Sequence, residues 1–168
     1  SEMCIRDRSL GSDVPFFLQG GDAVVSGFGE HCVPTNCERF PALVLVFPTT
    51  ACPTGEIFDA FDEQEPRDFA PERIDAVLQG SDLDGDDLFN DLLPAAEAVE
   101  PELVHCREAL KPLAERTVHL TGSGSTLFIP ADNPMHAEAL STAIEDRLGL
   151  QARVVAAVGR LDAEMNCS

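Results

Sequence analysis

Three short stretches of this chain carry side chains that could do chemistry. In the first, Asp13 follows Gly11-Ser12 and precedes Val14-Pro15. The glycine lets the backbone bend tightly and the proline favours the first turn of a helix, so one carboxylate is delivered to a loop-to-helix junction. Such a group can serve as a general base, or it can simply cap the helix that follows. In the second, Thr54-Gly55-Glu56-Ile57-Phe58, Thr54 is an N-cap candidate. Phe58 falls at helical spacing with Ile57 and Phe61, where a phenylalanine ordinarily belongs to a core. In the third, Gly122-Ser123-Gly124-Ser125 joins two apolar segments. The backbone N–H groups of a glycine-rich turn can approach an anion, although a Gly-Ser turn is also a common hairpin connection.

The elements that must position these residues follow from the hydrophobic pattern. Residues 14–18 are an apolar run expected to anchor the Asp13 turn in a core. Residues 22–33 read as a hairpin around Gly27-Phe28-Gly29, and the polar, Pro-bounded residues 35–41 as a linker. Residues 42–47, all apolar, read as a strand buried on both faces, ended by Pro48. A short helix is expected from Thr54, another over 71–79, and two amphipathic helices over 86–99 and 101–113. In the first of that pair, Leu88, Leu92, Ala95, Ala96 and Val99 mark the buried stripe. Asn90 is read as structural, bonding to backbone at the helix entrance. Residues 117–121 and 126–130 read as strands, 134–148 as a helix stopped by Gly149, and 151–158 as a last strand. From residue 42 onward the order is that of a split βαβ, ferredoxin-like α+β arrangement.

The blocks Gly11 to Phe17, Gly20-Gly21, Gly27-Phe28-Gly29-Glu30, Pro48 to Phe58, Asn90-Asp91-Leu92 and Thr121 to Phe128 occur in an order that resembles the 4-diphosphocytidyl-2-C-methyl-D-erythritol kinases of the GHMP kinase superfamily. The resemblance runs from about Leu10 to Val158. It implies a GHMP kinase C-terminal domain over residues 42–160 and a remnant of the N-terminal, ATP-binding domain over 9–41. It implies ATP-dependent phosphorylation of the 2-hydroxyl of the cytidylyl substrate, with Mg2+ accompanying the ATP. Asp13 would be the base, Thr54 would lie near the substrate, Phe58 would stack on the cytosine ring, and Gly122 to Ser125 would lie near phosphate. The superfamily's main phosphate loop, Pro-x-x-x-Gly-Leu-Gly-Gly-Gly-Ser-Ser, and an N-terminal Lys are not in this sequence, so the chain alone is expected to be inactive. Another GHMP small-alcohol kinase and a non-catalytic ferredoxin-like binding module are the alternative readings.

Composition bounds the rest. With 30 acidic and 11 basic residues among 168, the net charge of −19 argues against a nucleic-acid polymer as partner, since phosphate neutralisation needs clustered Lys and Arg. A small-molecule substrate is expected instead. No run of 18 apolar residues and no signal peptide is visible, which leads to the expectation of a cytoplasmic protein with no membrane partner. Six scattered cysteines without a Cys-x-x-Cys pair read as reduced thiols, and no metal-ligand set is expected. The Asp82 to Asp87 run lacks the Gly at position 6 and the Glu at position 12 of a calcium loop, and reads as a solvated acidic loop. Met3 to Arg8 resembles a translated sequencing-library adaptor, so residues 1–8 are expected to be a scar and 161–168 a tail.

Overall fold

A computed structural model of the chain describes residues 12–29, 31–35, 42–65, 71–79 and 88–156. They fall into two compact units, one within residues 1–38 and 157–168 and one within 39–156. The scar expected at residues 1–8, the acidic loop at 82–87 and the tail at 161–168 lie outside the described residues.

In the first unit a short helix, α1 (Val14–Gln19), is followed by β1 (Ala23–Ser26) and β2 (His31–Pro34). The two strands pair antiparallel, Val24 opposite Val33, as the glycine-punctuated pattern predicts. The expectation that residues 14–18 anchor a core is corrected: α1 has no buried residue, and Phe17 and Leu18 are exposed. One hairpin and one short helix do not supply enough facing surface to enclose aromatic side chains.

The second unit is built on a four-stranded antiparallel sheet in the order β4-β5-β3-β6, with β3 (Ala42–Phe47) central, β4 (His119–Leu120) and β6 (Gln151–Val155) at the edges and β5 (Leu127–Ala131) between β4 and β3. This is the split βαβ order expected from the pattern. The helices are α2 (Thr54–Asp62), α3 (Pro71–Gln79), α4 (Leu93–Val99), α5 (Pro101–Ala114) and α6 (Pro134–Leu148). Ala42, Val44 and Val46 of β3 are buried, while Leu43, Leu45 and Phe47 are half-buried. The strand therefore alternates instead of being buried on both faces, because helices contribute to the cluster on one face only. Ile57, Ala95, Ala96, Leu103, Leu110, Ala137 and Ile144 join Val44, Val46, Leu127 and Ile129 in that core.

The helix expected over 86–99 starts only at Leu93 within the described residues, and Asn90 to Leu92 form a turn ahead of it. Pro94 explains the difference. It lacks an N–H and clashes with the preceding turn in a helix interior, whereas in the first turn, where it sits, it costs nothing. Helix α6 has the predicted bounds: Asn133 caps it by accepting from the His136 N–H at 2.8 Å, and Gly149 ends it at φ 65°.

Candidate active site

Asp13 lies in the first unit, immediately ahead of α1 with Pro15 in the first turn. It occupies the N-cap position, yet its side chain makes no capping hydrogen bond. The capping alternative thus lacks its defining contact. The carboxylate is exposed, and its Oδ1 accepts from the Ser12 hydroxyl at 3.3 Å. What holds this corner is Gly29 in the β1–β2 turn. At φ +94° a Cβ there would fall 2.1 Å from the Ser12 carbonyl oxygen, so only glycine lets the turn approach the residue before Asp13. Gly29→Ala is accordingly expected to disorder the Asp13 turn without unfolding the second unit. Amide exchange that rises across residues 12–35 and is unchanged at Val44 and Ile129 would be the result.

In the second unit, Thr54 and the Gly122 to Ser125 loop are brought together, and Phe58 lies one helical turn beyond Thr54. Thr54 is not the N-cap of α2: Pro53 holds that position, without a side-chain cap bond, and Thr54 is the first helical residue. Its hydroxyl is free for another use, and it shares a hydrogen bond of 3.0 Å with the hydroxyl of Ser123. Residues 69 apart in sequence thereby join the start of α2 to the glycine-rich loop. Ile57 is the buried residue of this helix, whereas Phe58 is 48% exposed. The core reading of Phe58 is therefore corrected: adjacent positions on a helix point about 100° apart, and of these two Ile57 faces the core cluster. A half-exposed ring can stack on a flat base.

Inside the loop, the Thr121 N–H bonds to the Thr126 carbonyl and the Gly124 N–H to the Thr121 carbonyl, at 3.1 and 3.0 Å. A Cβ on Gly124, at φ +96°, would stand 2.9 Å from Leu120 Cδ1 and 3.2 Å from Cys52 Sγ. Cys52, two residues before Thr54, is thus packed under the loop. Burial, then the charge of Glu100, pushes its thiol pKa up, so it stays protonated at neutral pH. Asn90 Oδ1 accepts from the Leu92 N–H at 3.0 Å, the helix-entrance role expected of it. Its Nδ2 does something the pattern did not disclose: it donates to the carbonyls of Leu120 at 3.0 Å and Gly122 at 2.8 Å.

Behind the loop, Leu88, Phe89, Asn90, Leu93, His119 and Phe128 line a mostly apolar cavity of about 160 Å³. His119 is buried, stacks on Phe128 at a centroid distance of 5.0 Å, and leaves Nε2 without a partner. Burial, then the neighbouring Arg107 charge, holds its pKa below 6.5. The unfolded chain consequently binds the proton more readily, and stability is expected to fall as pH drops below about 6.5 and to level off once the folded pKa is passed. Urea denaturation at about pH 8, 6.5 and 5 reads this loss, and His119→Phe should diminish it. Arg107 itself pairs with Glu97 and donates to the Val118 carbonyl from Nε and Nη2 at 3.3 and 3.2 Å. Among the described residues no group of three or more His, Cys, Asp or Glu could hold a metal ion, and no helix is long and apolar enough to cross a membrane.

No protein-family profile matches the chain. Curated relatives do. It is 36% identical over 140 residues to a 4-diphosphocytidyl-2-C-methyl-D-erythritol kinase of Thermus thermophilus, an alignment covering 82% of this chain and 49% of that protein. It is 36% identical over 150 residues to the enzyme of the same name from Kineococcus radiotolerans, covering 84% and 46%. To the chloroplastic enzyme of Mentha piperita it is 32% identical over 123 residues, covering 70% and 30%. The chain spans about half the length of the first two and less of the third. A crystal structure of 4-(cytidine 5'-diphospho)-2C-methyl-D-erythritol kinase superposes with a TM-score of 0.66 at 32% identity, over 88% of this chain and 53% of that one. A homoserine kinase from Cytophaga hutchinsonii superposes at 0.63 with 16% identity, over 88% and 51%, which extends the fold alone. Over the part of their length that it spans, the chain belongs to the family of the 4-diphosphocytidyl-2-C-methyl-D-erythritol kinases.

Proposed function

We propose that this chain supplies the acceptor side of an ATP-dependent kinase that phosphorylates the 2-hydroxyl of 4-diphosphocytidyl-2-C-methyl-D-erythritol. The observation that carries the reading is the Thr54–Ser123 hydroxyl pair, which ties the glycine-rich loop to the start of the helix that bears the half-exposed Phe58 one turn further on. A cytosine ring would stack on Phe58, and the diphosphate would run toward the backbone N–H groups around Gly122 to Ser125. That surface favours a nucleobase-bearing acceptor over a small alcohol such as homoserine, for which an exposed aromatic has no purpose.

In the transfer, the substrate 2-hydroxyl oxygen bonds to the γ-phosphorus of ATP while the bond from that phosphorus to the β,γ-bridging oxygen breaks, and ADP leaves. Asp13 accepts the hydroxyl proton. Its freedom from a capping bond supports this role, since a carboxylate engaged with helix N–H groups would be a weaker base. Mg2+ would accompany the ATP. Phosphoryl transfer depends on positioning and electrostatics, and the main ATP-phosphate loop has no counterpart in this sequence. The 168-residue chain is therefore expected to show no measurable ATP-dependent turnover while still binding cytidine 5'-diphosphate. An NMR titration with shifts at Phe58 and Ser123 supports the reading. Absence of any shift there overturns it and favours a non-catalytic module.

A further inference from the structure

Asn90 reaches both sides of the glycine-rich loop's entry. Its two amide protons go to the carbonyls of Leu120 and Gly122, and its amide oxygen takes the Leu92 N–H. Those two carbonyls bracket Thr121, whose own N–H and C=O bond to Thr126 and Gly124. The amide thus sits inside a set of five hydrogen bonds that sets the direction of the peptides from Leu120 to Gly124. The Gly122 carbonyl turned inward onto Asn90 leaves the N–H of the same peptide, that of Ser123, on the other side, which is how a backbone loop comes to offer an N–H to an anion. Packing does not hold Asn90 in place by itself, because the residue also lines the cavity of about 160 Å³ behind the loop. The hydrogen bonds do.

We infer that Asn90 is a positioning residue: it holds the Gly122 to Ser125 loop in the shape that meets the substrate's phosphates. The inference rests on the nucleotide reading above for its ligand, and on geometry alone for the clamp. It acts together with the Thr54–Ser123 pair, which ties the same loop to the helix bearing Phe58. Phosphate recognition and ring stacking are therefore assembled before the ligand arrives. No role of this kind is needed for the helix entrance, which requires only the acceptor oxygen.

Two substitutions separate the clamp from the helix entrance. Asn90→Asp keeps the acceptor for the Leu92 N–H and loses both donors. Asn90→Ala loses all three bonds. In the full 168-residue chain, hydrogen exchange at the Thr121 and Gly124 amides is expected to rise about tenfold or more in both variants, with Val44 and Ile129 at wild-type rates. Wild-type loop exchange in Asn90→Asp overturns the inference, and so does an equal acceleration of loop and core amides. If Asn90→Ala does not fold, Asn90→Asp carries the test.

Titration with cytidine and with cytidine 5'-diphosphate then reads the consequence. The preference for the diphosphate is expected to fall about tenfold in both variants, while the affinity for cytidine is unchanged. An unchanged preference with a loosened loop overturns the phosphate-positioning role. Should the wild-type chain bind neither ligand, the nucleotide reading fails, and the exchange rates still decide whether Asn90 is the clamp.

Discussion

Phe58→Ala is expected to weaken cytidine 5'-diphosphate binding by about ten- to a hundredfold while lowering unfolding free energy by no more than about 1.5 kcal/mol. Ile57→Ala, one residue earlier, is expected to do the reverse in stability, costing about 2–5 kcal/mol. The contrast comes from burial. Ile57 is fully enclosed in the core cluster where α2 packs on α4, and its removal leaves a cavity among close-packed neighbours. Phe58 is 48% exposed, so truncation removes only about half of what a fully buried ring withdraws from water and leaves no enclosed cavity. A base stacked on an aromatic side chain contributes about 1–3 kcal/mol of binding, which converts to the stated loss. Calorimetric titration and urea denaturation of both variants test the pair. If Phe58→Ala destabilises the chain as Ile57→Ala does, the ring is a core group and the stacking role is lost.

The same two residues mark the limit of what the pattern of residues discloses. Apolar spacing placed 57, 58 and 61 on a helix, and a helix over 54–62 formed. Spacing alone cannot decide which of two adjacent apolar positions faces the sheet, because that depends on how the helix lies on it. Long periodic segments fared best. Residues 71–79 and 134–148 became helices with the expected bounds, since caps and prolines stand at their ends. The sheet order β4-β5-β3-β6 is that of the split βαβ read from the element order, in which only β4 and β5 are joined by a short turn. The error at 86–99 has a visible cause, since Pro94 could have been used to place the start of that helix.

The site was legible in part. Thr54 and Ser123 of the glycine-rich loop do meet, Phe58 lies one turn along the same helix as Thr54, and Asp13 belongs to a separate unit and is characterised by its own turn. Thr54 resembles a cap by residue type, but Pro53 takes the position and frees the hydroxyl for Ser123. Asn90 was legible only as an asparagine ahead of a helix. Its partners lie 30 and 32 residues away, and a side chain with two donors gives no sign in sequence of which carbonyls it will reach. Gly29 and Gly124 carry the same lesson. Each could be read as a turn residue, yet each is required by a close approach from elsewhere in the chain, the Ser12 carbonyl in one case and Cys52 in the other.

Gly124→Ala is expected to cost about 2–5 kcal/mol, against about 1–2 kcal/mol for Gly122→Ala in the same loop. Both glycines have positive φ, +96° and +56°, so each alanine carries the left-handed backbone penalty. The remaining difference is steric. A Cβ on Gly122 meets nothing within 4 Å, whereas one on Gly124 presses on Leu120 Cδ1 at 2.9 Å and Cys52 Sγ at 3.2 Å. The Leu120 backbone is held through its carbonyl by Asn90, and its side chain borders the cavity of about 160 Å³, so Cδ1 can yield while the overlap with Cys52 remains. The strain left at Cys52 bears on the loop, and on the Thr54–Ser123 contact with it. Cys52→Ala in the same chain removes the sulfur and should recover the part of the loss that is overlap with it, leaving the backbone penalty, the Leu120 contact and a 3.5 Å contact to the remaining Cβ. Urea denaturation of the two single glycine variants and the Cys52→Ala, Gly124→Ala double variant measures this. Equal losses for the two glycines, or no recovery in the double variant, would show that the close approach of Cys52 does not shape the loop.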